Sequence, residues 1–200
     1  MSDRTAECAE PQRRSIGAKR NPATEEAILT AAQEILRDKG VKGLSMEAVA
    51  RRARAGKATL YKWWPSRGAL LVAVYERAKG EHAHEDKGAL IATVGAFYRY
   101  VFDFWKTPEG QVFALIIAEA QSDADVAEAL ERYRKERLVA LAEVVEWSRM
   151  RGELIDGAQA GALAETIMAV AWMRLITGRL DSDPERLAHE VLDGWIVGKR

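Results

Sequence analysis

The stretch Arg51–Arg67, RRARAGKATLYKWWPSR, is where this chain concentrates residues able to do chemistry. Six cations (Arg51, Arg52, Arg54, Lys57, Lys62 and Arg67) occur in it without one acid, and a threonine, a leucine, a tyrosine and two tryptophans lie between them. Ammonium and guanidinium groups neutralise phosphates, and hydroxyls hydrogen-bond to them. A merely solvated charge run would not need the apolar residues. Their presence implies that the charges ride on a packed scaffold, and the chemistry is that of binding a polyanion.

The distribution of charge agrees. Residues 1–80 hold 16 Lys+Arg against 9 Asp+Glu, a difference of +7, while residues 81–200 hold 14 against 21, a difference of −7. The formal net charge of zero hides this split between a basic beginning and an acidic remainder, a pattern that points to nucleic-acid contact by the first part.

Other chemistries find little support. The carboxylates show no pairing suited to acid/base work, and neither a Ser-His-Asp order, a P-loop nor a GxGxxG is present, so no enzyme activity and no cofactor are expected. The segment EHAHED holds His82, His84, Glu85 and Asp86. Histidines two apart point to different faces of a helix, and no cysteine supports them, so a polar connector is the better reading and no metal is expected. His189 is expected at an interface or in solvent. Cys8 is the single cysteine, which rules out an intrachain disulfide and fits a reducing cytoplasm. The beginning MSDRTAECAE lacks the apolar core of a secretory signal, and no apolar run approaches the roughly 20 residues of a membrane span. A cytoplasmic protein without membrane contact is the expectation.

The elements that must position the basic stretch are helical, because apolar residues recur at helical spacing and alternating strand patterns are nearly absent. Residues 1–20 read as a flexible arm with Arg13, Arg14, Lys19 and Arg20 near its end. A first helix is expected from about Thr24 to Lys39, with the stripe Ile28, Ala31, Ala32, Ile35 and Leu36 and a stop at Gly40. Ser45 is a good N-cap for a second helix over about Met46–Ala53. The turn Arg54-Ala55-Gly56 leads to a third, about Lys57–Trp63, which Pro65 stops. Ser66 caps a fourth, running to about Lys79. Five longer helices follow: about 88–105, one begun by Thr107-Pro108, about 125–150, about 158–177, and one from Asp183-Pro184 to near Val197. The class is all-α and nine-helix: a three-helix head over 21–66 and a helical bundle over 67–200.

Two short helices joined by a turn of about three residues, the second of them basic, describe a helix-turn-helix. Val49, Ala50, Ala53 and Leu60 pack the pair, leaving Lys57, Ala58, Thr59 and Lys62 outward, with the Tyr61 hydroxyl offered to a phosphate. Trp63 and Trp64 cover the edge of the core. The candidate DNA-binding set is Ser45, Arg54, Gly56, Lys57, Ala58, Thr59, Tyr61, Lys62 and Arg67, with Arg51 and Arg52 nearby.

Residues 24–71, and GKATLYKWWPSRGALL above all, resemble the DNA-binding domain of the TetR/AcrR family of transcriptional repressors. Beyond residue 80 only the helical layout matches. The resemblance implies an Ω-shaped homodimer whose last two long helices pair with their mates, a palindromic operator, and a small-molecule effector held by the middle helices that weakens operator binding. Two positions depart from the family pattern. Arg54 stands where a turn glycine is usual, so left-handed geometry there carries a cost, and Gly56 stands where a serine usually caps the recognition helix.

For the effector, large aromatics spread over four helices suggest a hollow bounded by Tyr100, Phe104, Trp105, Phe113, Ile117, Trp147 and Trp172, for an apolar or aromatic molecule. Leu163, Ile167, Val170, Ala171, Val191 and Trp195 are expected at the dimer interface. Two other classes stay open at this point. One is a helical interaction module using its basic face on an acidic partner, and the other is an enzyme housed in the C-terminal part.

Overall fold

Caps and prolines set the helix starts. In the computed structural model, which describes residues 21–80 and 85–198, Asn21 caps α1 (Pro22–Gly43) by accepting from the Ala23 N–H, with Pro22 at the first turn. The regular helix breaks at Gly40, whose φ of 66° few other residues accept, and residues 41–43 form a further turn. Ser45 caps α2 (Met46–Arg52), Ser66 caps α4 (Arg67–Lys79), and Thr107 caps α6 (Pro108–Glu119), each through its own hydroxyl. Gly56 begins α3 (Lys57–Trp63) with no side-chain cap. The remaining described helices are α5 (Leu90–Trp105), α7 (Ala124–Met150), α8 (Ala160–Ile176) and α9 (Pro184–Leu192). The basic arm, Cys8, His82 and His84 lie outside the described residues.

Some boundaries differ from the sequence reading. Helix α5 starts at Leu90, because Ala89 is extended. Helix α9 ends at Leu192 rather than near Val197. Beyond it the chain reverses at Gly194 and residues 195–197 run antiparallel to 153–155. Ile155 N–H donates to the Trp195 carbonyl (3.0 Å) and Val197 N–H to the Glu153 carbonyl (2.8 Å). The apolar residues after Leu192 therefore close a short ladder instead of prolonging a helix.

Helix α4 is the hub. It packs on α1, α6 and α7, while α5 packs chiefly on α9, and α7 on α8. One continuous core runs from Ile28 in α1 to Leu192 in α9. Its centre is aromatic. Phe113 of α6 is fully buried, with Tyr75, Trp105, Tyr133 and Trp172 around it at ring-centroid separations of 4.5, 5.9, 5.4 and 5.3 Å. Trp105 Nε1 donates to the Tyr75 hydroxyl (3.0 Å), which satisfies a buried donor. Among the described residues, no helix is long and apolar enough to cross a membrane.

Candidate nucleic-acid interface and ligand cavity

Leu60 orients the recognition helix. It is fully buried against Val49, Ala50 and the α1 core, and this forces its neighbours outward. Lys57, Ala58, Tyr61 and Lys62 are exposed, and Thr59 is half-buried. Ser45 is exposed, and its hydroxyl accepts from the Ala48 N–H (3.1 Å), so its observed work is to hold α2 beneath α3. Trp64 is buried, and Trp63 meets it edge-on at 5.9 Å. Both tryptophans are scaffold, leaving the outer surface to cations and hydroxyls.

Among the described residues, the cations divide into those without an ion pair and those engaged in one. Arg52 donates to Glu34 (2.8 Å) and Asp38 (3.3 Å) and so ties α2 to α1. Lys57 reaches Glu47 at 3.3 Å, but both side chains are more than half exposed, and such a pair is weak enough for a phosphate to compete with. The Glu47 carboxyl sits below its usual range, through a backbone hydrogen bond first and Lys57 second.

Arg67 corrects the sequence reading. The cationic run suggested a phosphate contact, but its guanidinium donates to Glu119 (2.7 Å), Asp123 (2.5 Å) and the Val41 carbonyl (3.4 Å). It is therefore a tether between the head and the start of α7. Beside it, Gly68 lies so close to α7 that an added Cβ would stand 2.4 Å from the Asp125 carbonyl oxygen.

Arg54 has φ of 51°, the one non-glycine positive φ among the described residues. Left-handed geometry costs such a residue about 1–2 kcal/mol, while glycine loses about 0.5–1 kcal/mol more unfolded-chain entropy. Arg54→Gly is thus expected to raise stability by no more than about 1.5 kcal/mol, visible as a small rise in Tm. A fall in Tm would contradict the assignment of strain to this turn.

The second feature is a cavity of about 210 Å³ among α4, α5, α7 and α8. Tyr100, Trp105 and Trp172 line it, as the sequence suggested. The other four expected residues do not. Phe113 stands behind the wall in the core, Phe104 and Ile117 pack elsewhere on the core, and Trp147 is 40 % exposed on the outer face of α7. The residues that sequence reading missed are mostly polar: Tyr75, Lys79, Thr93, Tyr133 and Arg137, with Glu85 and Lys87 also on the wall. No local signal marks them, because a lysine or arginine on an amphipathic helix ordinarily faces water.

The expected dimer residues are also redistributed. Leu163, Ile167 and Ala171 are fully buried in the chain's own core, because α8 turns them toward α5 and α7. Val170, Val191 and Trp195 are part-buried against the same core. The outward stripe of α8 is Ala162, Thr166, Ala169, Met173 and Ile176, and the two largest of these are each 55 % exposed.

A basic helix-turn-helix carried on a long helical bundle is the arrangement of a DNA-binding transcriptional regulator. Known proteins place it further. The family model for bacterial regulatory proteins of the tetR family matches residues 28–74, and the tetracyclin repressor-like C-terminal domain model matches residues 84–193. The chain belongs to the TetR family. It is 28% identical over 165 residues to YdeS of Bacillus subtilis (strain 168), an HTH-type transcriptional regulator, covering 81% of this chain and 83% of that one. It is 23% identical over 175 residues to the HTH-type transcriptional regulator AqdR of Rhodococcus erythropolis, covering 86% and 84%. The crystal structure of the TetR family transcription regulator SCO0332 superposes with a TM-score of 0.68 at 30% identity, covering 86% of this chain and 97% of that one.

Proposed function

We propose that this chain is a dimeric, ligand-released repressor. A recognition head over residues 21–66 sits on a palindromic operator, and the bundle over 67–200 holds the effector and the dimer contact. The observation that carries the reading is the outward set Lys57, Ala58, Thr59, Tyr61 and Lys62 on a helix pinned by the fully buried Leu60. A helix so exposed fits the B-DNA major groove and presents its first residues to base edges. Arg51 and Arg54 are exposed beside it, and Gly56 lets the backbone come close.

Binding to duplex DNA at several salt concentrations tests this. Lys57→Ala is expected to weaken binding and to lower the salt slope by about one, the signature of one lost phosphate contact. Tyr61→Phe is expected to weaken binding with the slope unchanged. Wild-type affinity in both variants would move the recognition surface elsewhere.

The α8 stripe supports the dimer. Small residues at Ala162 and Ala169 permit close helix approach, and Met173 and Ile176 are too apolar to gain from water. Sedimentation at micromolar concentration should give a dimer for the wild type and a monomer for Met173→Glu. A dimer unaffected by that change would place the contact on another face.

The cavity supports release by an effector. Helix α4 brings Tyr75 and Lys79 to it, while its other end carries Ser66, Arg67 and Gly68 beside the recognition head. A ligand that moves this one helix alters the spacing of two recognition helices in a dimer. The coupling is reciprocal and typically about 1–3 kcal/mol.

A further inference from the structure

Two of the three cations on the cavity wall, Lys79 and Arg137, have little to neutralise them. Lys79 Nζ donates to the Tyr133 hydroxyl (3.0 Å) and lies 5.3 Å from the centroid of that ring. The Arg137 guanidinium carbon lies 5.5 Å from the same centroid. Arg137 Nε is buried and has no hydrogen-bond acceptor among the described residues. Neither cation forms an ion pair with a described residue. A buried guanidinium N–H without an acceptor is costly, and an incoming anion would relieve it.

The surroundings bound the ligand further. Phe97, Val101, Trp105, Met168 and Trp172 make the rest of the wall apolar or aromatic. Glu85 and Lys87 pair with each other at 2.6 Å and cancel. Glu76, one turn before Lys79, feels both cations. Its pKa is raised, by burial first, with Arg137 opposing, Glu136 adding to the rise and Lys79 opposing. Glu76 is not on the wall itself, so the wall carries two unpaired cations whose charge this neighbouring carboxylate partly offsets, which suits an anionic ligand. The volume of about 210 Å³ has room for one ring, or a short aliphatic chain, with an acid arm.

We infer that the cavity binds a monocarboxylate with an aromatic or short aliphatic body, its carboxylate seated between Lys79 and Arg137. The inference rests on the reading of this cavity as the effector site. It replaces the purely apolar ligand that the aromatic residues alone suggested. A planar guanidinium and an ammonium together satisfy both oxygens of a carboxylate. Both cations lie over the Tyr133 ring, at 5.3 and 5.5 Å from its centroid, and the Tyr100 hydroxyl, donating to the Lys79 carbonyl (2.6 Å), fixes the end of α4 at the same place.

The titration of Lys79 gives an independent sign. Burial, then Arg137, lowers its ammonium pKa to about 8, with Glu76 opposing. The titratable and charged groups that face it are Tyr75 and Glu76 on α4, Tyr100 on α5, Tyr133 and Arg137 on α7, and Glu85 and Lys87 at the wall. A bound carboxylate favours the charged form. Affinity therefore falls as pH rises past about 8, and binding above that pH takes up a proton.

The test uses the full-length protein and four probes: 3-phenylpropionate, octanoate, and their neutral amides 3-phenylpropanamide and octanamide. Calorimetry is expected to show at least one carboxylate binding about tenfold or more tighter than its own amide, the ratio expected of a charge-assisted hydrogen bond. Lys79→Met and Arg137→Met, which keep most of the side-chain volume, should abolish that preference while leaving amide binding in place. Lys79→Arg should restore part of it. Amides that bind the wild type as tightly as the acids overturn the inference and leave the cavity as an effector site for neutral ligands. Failure of all four to bind overturns both readings. A carboxylate preference that survives in both methionine variants overturns the seat between these two residues.

Discussion

Phe113→Ala is expected to cost about 3–5 kcal/mol of folding stability, the range for deleting a fully buried phenyl ring. The ring meets four others, each from a different helix: Tyr75 of α4, Trp105 of α5, Tyr133 of α7 and Trp172 of α8. All four line the cavity, and Phe113 backs them. Rings of this size cannot collapse onto a vacated phenyl site without leaving their own rotamers, so most of the void persists. For a chain of this length each kcal/mol lowers Tm by roughly 2–4 °C. Urea denaturation reads the loss directly. A loss below about 1 kcal/mol would mean that the aromatic centre is loosely packed and that the cavity walls are not fixed by α6.

Gly68→Ala decides between two opposite expectations. Helix propensity alone predicts a gain of about 0.5–1 kcal/mol, since alanine is the better helix former. The geometry predicts a loss. The new Cβ would stand 2.4 Å from the Asp125 carbonyl oxygen, 2.6 Å from the Val126 Cα and 2.8 Å from the Asp125 carbonyl carbon. These are backbone atoms at the beginning of α7, fixed by the Asp123 cap and by Arg67, and they have no rotamer to turn away. We expect a net loss of about 1–3 kcal/mol, the typical cost of overpacking, with α4 pushed off α7. Operator affinity should fall as well, because α4 sets the position of the recognition head. A stabilised variant with unchanged DNA binding would show that the α4–α7 contact neither limits stability nor positions the head.

Much of this was legible in the chain itself. Ser45, Ser66, Thr107-Pro108 and Asp183-Pro184 begin helices in the structure as their cap chemistry requires, and Gly40 breaks α1. Such signals are local, and local chemistry survives tertiary folding. The recognition helix was legible for the same reason: Leu60 is the one leucine in KATLYKW and the one residue of that helix that is fully buried. Helix α8 was not. ALAETIMAVAWM is apolar almost all round, and its periodicity does not say which side faces the chain's own core. Leu163, Ile167 and Ala171 went inward, leaving Met173 and Ile176 outside. Arg67 was assigned by its cationic neighbours, whereas its partners lie 52 and 56 residues further on. Lys79 and Arg137 meet one tyrosine ring across a similar separation, and only the packing of α4 on α7 brings them together.

The central claim is sequence-specific operator binding by paired recognition helices. Selection of bound fragments from a random duplex library by the purified protein tests it most directly. The account predicts enrichment of one inverted repeat whose half-site centres lie about 34–36 Å apart, one turn of DNA, with affinity that falls steeply as salt rises. Recovery of duplexes with no common sequence, or with a single unrepeated half-site, would contradict it.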